Sequence, residues 1–181
     1  WFWFTYIDDM SIAYTGGGTP ISHSGNKSVV IYTAANADAA KYSSHANNLE
    51  HLQGVAQRLS LDDSKKYKLQ FFYYRPNLVW GTTDVAANIN HAEKIVVGIV
   101  SSTEANVNTD YTYEEVITLE KTEGWKEYNI TFDLPDIIQK NPGKSFEKCA
   151  IFFNIVPEID SAQKTLKTLV NLDDISLTET K

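Results

Sequence analysis

The chain has 181 residues, of which 43% are hydrophobic and 22% are charged. This balance is typical of an ordered globular domain, and the length is sufficient to bury one core, so residues 1–181 are interpreted as a single domain. The formal net charge is −7 and no basic run is present, which argues against the positively charged surface that a phosphate backbone requires. We therefore expect no nucleic-acid partner.

The N-terminal segment, WFWFTYIDD, is aromatic and strand-like. It lacks the positively charged region of a signal peptide, and no apolar run approaches the roughly 20 residues that would span a bilayer. We therefore expect a chain that does not insert into a membrane. A start at Trp1 within a strand-like segment suggests a mature chain whose targeting peptide has been removed, so the predicted location is secreted, periplasmic or at the cell surface.

About nine segments rich in β-branched and aromatic residues predict strands. They are the N-terminal aromatic run and residues 28–34, 55–61, 67–75, 94–102, 114–120, 125–134, 148–156 and 169–178. Turn sequences such as TGGGTP, RPN and NPGK separate them. Only residues 35–52 and 136–141 are candidates for short helical turns, and the first is so rich in Asn and Ser that we interpret it mainly as a long loop. The predicted fold is an all-β antiparallel β-sandwich.

The strand predicted at residues 67–75 has two different faces. One face is apolar throughout, whereas the other places Phe72 and Tyr74 side by side. If this second face is exposed, the two rings form a flat platform bordered by Gln70 and Arg75. Such a platform suits a sugar ring, whose C–H-rich face stacks on aromatic rings while polar groups bind its hydroxyls.

The alternative is that the second face is also buried, under the loop at residues 35–52 or the loop around Trp80. Three further aromatic residues, Trp80, Tyr111 and Tyr113, lie in loops or at strand edges. They either rim the platform or cap the core, and the sequence leaves both interpretations open.

Two adjacent aspartates, Asp173 and Asp174, interrupt the last predicted strand. Side chains on a strand alternate between faces, so one carboxylate is expected to point inward, where an unpaired charge is costly. A catalytic role, a metal ion or a strand-end bulge would each account for it. Adjacent carboxylates point to opposite faces, so this pair alone does not provide the facing carboxylates, about 5–9 Å apart, of a glycosidase.

The other reactive side chains do not form a recognisable catalytic or zinc motif. His23, His45, His51 and His91 lie in loops without the spacing of a zinc site. Cys149 is the only cysteine, and its flanking sequence KCAIFF predicts an inert thiol in the core. We therefore predict no catalytic residues.

Three segments, taken in order, resemble jelly-roll carbohydrate-binding modules of the galactose-binding-like superfamily. They are HSGNKSVVIY, GVAQRLSLDDSKKYKLQFFYYR, and a C-terminal set that ends in LVNLDDISLTE. Modules of this type are appended to bacterial xylanases and cellulases, and the resemblance covers nearly the whole chain. It implies a jelly-roll β-sandwich that binds a polysaccharide or oligosaccharide without catalysis and assists polysaccharide degradation.

The resemblance also implies a structural calcium ion at one edge of the sandwich. Asp174 would be a ligand, with the backbone around Gly25 and Asn26 contributing oxygens, since Ca²⁺ takes 6–8 oxygen ligands. The usual acidic residue near the N-terminus is not evident in this sequence; Asp8 or Asp9 could replace it if the loop reaches, and Asp9 is taken as the candidate ligand. The alternative is that backbone amides and basic neighbours satisfy Asp174 at a strand bulge.

The first functional hypothesis is therefore a carbohydrate-binding β-sandwich. Its predicted binding residues are Phe72, Tyr74, Gln70, Arg75, Trp80, Tyr111 and Tyr113. The alternatives are a structural or protein-interaction sandwich without sugar affinity and, with less support, a glycoside hydrolase.

Overall fold

The computed structural model describes residues 2–4, 12–14, 22–25, 28–32, 53–75, 89–101, 112–156 and 167–180. Eleven strands and one helix lie within them. The strands are β1 (Phe2–Phe4), β2 (Ile12–Tyr14), β3 (Val29–Tyr32), β4 (Gln53–Leu59), β5 (Lys66–Tyr74), β6 (Ile89–His91), β7 (Lys94–Val100), β8 (Tyr113–Thr118), β9 (Lys126–Asp133), β10 (Cys149–Ile155) and β11 (Lys167–Thr180). The helix, α1, spans Leu134–Lys140.

The strands form two sheets. Sheet A has the order β1-β4-β10-β7-β8, and sheet B has the order β2-β3-β11-β5-β9. Neighbouring strands pair antiparallel, except that β6 pairs in parallel with the first residues of β11. The predicted β-sandwich is confirmed, and the β6–β11 pairing is a local departure from antiparallel order.

The hydrophobic core lies between the two sheets. In β5 the buried residues are Tyr67, Leu69, Phe71 and Tyr73, none more than 9% exposed, so the apolar face predicted from alternation is confirmed. Phe71 meets Phe153 of β10 edge to face, with ring centroids 5.1 Å apart. Side chains of the two inner faces interdigitate in this way in aligned sandwiches.

Strands β7 and β10, which are neighbours inside sheet A, are buried on both faces. Every residue of β10 is buried, as is every residue of β7 from Ile95 to Val100. Their sequences, KIVVGIV and CAIFFNI, are continuous apolar runs rather than alternating patterns, as expected of strands covered on both sides. These two strands therefore leave almost no surface for a ligand, and the outer face of sheet B becomes the candidate.

The predicted elements agree closely with the observed ones. Each predicted strand segment overlaps an observed strand, whereas β2 and β6, of three residues each, are too short for a pattern of alternation to reveal. The helical turns predicted at 136–141 correspond to α1, which begins two residues earlier. The predicted loop at 35–52 lies outside the described residues.

Helix α1 begins after β9 because Asp133 caps it. The Asp133 side chain accepts a hydrogen bond from the Asp136 N–H at 3.3 Å, and Pro135 in the first turn has no N–H that needs a partner. Leu134 and Ile137 are buried and join the core. Within the described residues, no helix is both long enough and apolar enough to cross a membrane.

Candidate functional site

The outer face of sheet B is formed by alternate residues of β5 and the residues that pair with them. Phe72 lies opposite Glu127 of β9 and Asp173 of β11, and Gln70 lies opposite Asn129 of β9. Directly opposed residues of neighbouring strands point to the same face. The second face predicted for β5 therefore exists, and its β5 side chains are partly exposed rather than buried.

Four rings form a continuous cluster on this face, which we call the aromatic cluster: His23, Phe72, Tyr74 and Trp125. The His23 ring stacks on Phe72 with centroids 3.7 Å apart and an angle of 12° between the planes. The Trp125 ring meets His23 edge to face, with ring centroids 6.2 Å apart. Its centroid lies 5.6 Å from that of Tyr74, and the planes of these two rings differ by 31°. All four residues are partly or fully exposed.

The alternation in β5 predicts Phe72 and Tyr74 as site residues but not Trp125 or His23. Trp125 immediately precedes β9 and shares the parity of Glu127 and Asn129, whose side chains are exposed. The alternation of β9, extended back by one residue, therefore places Trp125 on the outer face of sheet B. No local signal identifies His23, because its contacts are with residues far away in the sequence.

The Asp173–Asp174 pair lies at a β-bulge. The pairing of β11 with β5 shifts register between Asp173 and Ser176, and Asp174 has a φ of 45°. Asp173 is half-buried and Asp174 is exposed. The expectation that one of them points inward is wrong, because the bulge interrupts the alternation on which it rested.

Both carboxylates accept hydrogen bonds from the turn at residues 22–25. Asp173 accepts from the backbone N–H groups of His23, at 2.7 Å, and Ser24, at 3.3 Å, and also from that of Asp174 at 2.8 Å. Asp174 accepts from Ser24 Oγ at 2.5 Å and lies 2.6 Å from His23 Nδ1. The hydrogen bond from Ser24, followed by that from His23, lowers the pKa of the Asp174 carboxyl below its ordinary value.

Two of the four predicted calcium ligands, Asn26 and Asp9, lie outside the described residues. The other two have protein partners, since Asp174 accepts the hydrogen bonds above and the Gly25 carbonyl accepts one from Ser22 Oγ at 3.3 Å. The described part of the chain contains no group of three or more His, Cys, Asp or Glu side chains that could hold a metal ion. These donors do not by themselves form the oxygen cage that Ca²⁺ takes, and calcium binding stays a prediction from the resemblance.

Two other predicted binding residues lie away from the aromatic cluster. Arg75 does not border it, because it continues the core-facing series of β5: it is 8% exposed, and its guanidinium donates to the Leu119 carbonyl at 2.6 Å. Tyr113 lies on β8 in sheet A and meets Phe132 edge to face at 6.0 Å, which fits the core-capping interpretation. Burial raises the pKa of the Tyr113 hydroxyl. Trp80 and Tyr111 lie outside the described residues.

A cavity of about 240 Å³ lies apart from the aromatic cluster, between the two sheets. It is lined by Gln57, Leu59, Leu69, Ile151, Ile175 and Leu177. Five of these six side chains are aliphatic, so the cavity offers few groups that could bind hydroxyls. The aromatic cluster is therefore the stronger candidate for a polar ligand.

No protein-family model matches the sequence, and no curated protein does either. Solved structures are similar, among them a CBM4 structure, with a TM-score of 0.54 and 13% identity over 94% of this chain and 78% of that one. The N-terminal CBM22-1–CBM22-2 tandem domain of Paenibacillus barcinonensis Xyn10C gives a TM-score of 0.51 and 12% identity, over 98% of this chain and 46% of that one. The chain has the fold of a carbohydrate-binding module.

A larger protein of another kind is also similar in structure. The enzymatically active domain of tailspike protein 4 from bacteriophage CBA120 gives a TM-score of 0.51 and 9% identity, over 94% of this chain but 18% of that one. These similarities show the fold alone, and one fold can carry many functions.

Proposed function

We propose that this protein binds a polysaccharide or oligosaccharide through the aromatic cluster, without catalysing a reaction. The observation that supports this most directly is the group of partly exposed rings on the outer face of sheet B, beside the amide side chains of Gln70 and Asn129. A carbohydrate-binding-module fold is consistent with it. The associated proposals are an accessory role in polysaccharide degradation and a location outside the cytoplasm.

Tyr74 and Trp125 are the rings best placed to stack on a sugar. They lie 5.6 Å apart and 31° from coplanar, so together they form a shallow, partly apolar surface. The C–H-rich face of a pyranose gains dispersion and C–H/π contacts on such a surface. Aromatic pairs contribute about 0.5–1.5 kcal/mol beyond their buried area, and we expect a contribution of the same order from a sugar on each ring.

The polar neighbours provide both donors and acceptors. Gln70 and Asn129 face each other across β5 and β9, and Asn129 Nδ2 donates to Glu127 Oε1 at 2.8 Å. Amide groups can donate to and accept from adjacent sugar hydroxyls, which are themselves both donors and acceptors. This combination of flat rings and amides favours a sugar over a purely apolar ligand.

Affinity electrophoresis against xylan, β-glucan, cellulose and mannan tests the proposal. We expect at least one polymer to retard the wild-type protein, and Trp125→Ala or Tyr74→Ala to weaken binding about tenfold. Val116→Ala is the matched control, since Val116 is 57% exposed on β8 of sheet A and should leave binding unchanged.

The alternatives predict different results in this assay and in a reducing-sugar assay on the same polymers. A structural or protein-interaction sandwich would not be retarded by any polymer, and the cluster variants would then change nothing. A glycoside hydrolase would release reducing sugar from the retained polymer, which we expect not to occur.

A further inference from the structure

The turn at residues 22–25 is attached firmly to the bulge of β11. Five hydrogen bonds connect or support the two parts, and both carboxylates of the Asp173–Asp174 pair take part in them. A turn fixed by that many charge-assisted contacts holds its side chains in one orientation. The side chain that it presents to the aromatic cluster is His23.

The hydrogen bond to Asp174 determines which nitrogen of His23 carries the proton. An ionised carboxylate can only accept, and an exposed aspartate such as Asp174 is ionised at neutral pH. His23 Nδ1, 2.6 Å from Asp174 Oδ2, is therefore the donor. In the neutral ring this leaves Nε2 as a hydrogen-bond acceptor.

The position of the ring leaves Nε2 available to a ligand. One face of His23 is covered by Phe72, and Trp125 approaches at 66°. The side chain nevertheless remains 34% exposed, and among the described residues nothing forms a hydrogen bond with Nε2. Stacking also means that His23 covers the Phe72 ring, on which a sugar was expected to lie.

We infer that His23 is a ligand-binding residue of the aromatic cluster whose Nε2 accepts a hydrogen bond from a sugar hydroxyl, and that Asp173 and Asp174 are positioning residues for it. This inference rests on the proposed function. Phe72 then supports the His23 ring, while the sugar contacts His23, Trp125 and Tyr74. The ligand is accordingly a pyranose that presents a hydroxyl at the edge of its stacked face.

Binding measurements on His23→Phe test the role of Nε2. Phenylalanine keeps a flat ring for Phe72 but has no acceptor, so we expect affinity for the retained polymer, and for xylohexaose or cellohexaose, to fall about fivefold. If His23→Phe binds as tightly as wild type while Trp125→Ala binds about tenfold more weakly, this inference is overturned and the proposed function stands. If neither polymer nor oligosaccharide binds to the wild-type protein, both are overturned.

Histidine-ring ¹H–¹⁵N spectra test the positioning role separately, with the His23 signals assigned by their absence in His23→Phe. In the wild type we expect the Nδ1–H tautomer and a shift of the Nε2 resonance on saturation with the bound oligosaccharide. Asp174→Asn is tolerated at a φ of 45° because Asn adopts this conformation readily. Its amide can donate to Nδ1, which moves the proton to Nε2 and should weaken binding about fivefold.

Asp62→Asn is the matched control, because Asp62 is an exposed turn residue that accepts hydrogen bonds from Ser64 instead. It should leave both the His23 tautomer and the affinity unchanged. A wild-type spectrum with the proton on Nε2, or an Nε2 resonance unaffected by saturating oligosaccharide, contradicts the inference even if all variants are folded.

Discussion

The stability of the folded protein depends on pH through the carboxylate of Asp174. Its pKa is lowered by the hydrogen bond from Ser24 first and that from His23 second. Because the folded-state pKa lies below the unfolded one, the stabilising contribution of Asp174 is complete above the unfolded pKa and is lost as pH falls through the folded value. The exposure of the side chain keeps this contribution modest.

The pH prediction compares the wild type with Asp174→Asn, which has no titrating carboxyl at this position. Near neutral pH we expect the wild type to have a higher melting temperature than Asp174→Asn. This difference in melting temperature should shrink as the pH falls below about 4. Thermal unfolding followed by circular dichroism between pH 2 and pH 7 measures it. A difference that stays constant or grows as the pH falls from about 4 to about 2 contradicts the assignment of the Ser24 and His23 hydrogen bonds to Asp174.

Chelation distinguishes calcium from hydrogen bonds as the partner of Asp174. A bound ion that interacts only with the folded state stabilises it by about 2.7 kcal/mol at a hundredfold excess over Kd, so EDTA would lower the melting temperature and added Ca²⁺ would restore it. If the protein donors that bind both carboxylates are their partners instead, EDTA should leave the melting temperature unchanged while Asp174→Asn lowers it. Restoration by Ca²⁺ but not Mg²⁺ would establish the metal instead.

At the scale of strands, close packing around Gly98 of β7 leaves no room for a side chain. A Cβ at this position would lie 2.4 Å from the Tyr113 carbonyl oxygen and 2.5 Å from Phe152 Cζ. We expect Gly98→Ala to lower the free energy of unfolding by about 1–3 kcal/mol, because the neighbouring strand would have to move. Urea denaturation measures the change.

Gly124→Ala is the control for the glycine prediction. Gly124 lies between β8 and β9 with no atom within 4 Å of its Cβ position, so alanine should be neutral there or slightly stabilising through the unfolded state. Equal decreases in the free energy of unfolding of Gly98→Ala and Gly124→Ala would contradict the close packing of β7 against β8 and β10.

The strands were predictable because alternation and β-branched composition are local properties. The alternate burial of Leu69, Phe71 and Tyr73 follows from one stretch of sequence. The bulge was not predictable in the same way, since a shift of register depends on how β11 meets β5. His23 became part of the site through a turn that the bulge holds, and the burial of Arg75 depends on its partner Leu119. Non-local contacts such as these leave no periodic signal in the sequence.

At the scale of the whole molecule, the reactivity of the Cys149 thiol tests whether the core between the two sheets is packed. It is fully buried, and burial raises the pKa of its thiol to about 12, with a smaller contribution from Asp63. At pH 8 the reactive thiolate fraction is on the order of 10⁻⁴. We expect a thiol reagent to label the protein only at urea concentrations where circular dichroism reports unfolding, and rapid labelling in buffer alone would contradict a closed core.

The arrangement of sheet B also has a consequence for biosynthesis. Strand β11 follows every other strand of the sheet in sequence but lies inside it, between β3 and β5. While the ribosome is still synthesising the chain, β2–β3 and β5–β9 can each pair, yet each pair exposes an open strand edge toward the position that β11 will fill. Both edges remain unpaired until β11 has been synthesised and inserts between them, and unpaired strand edges favour aggregation during that interval.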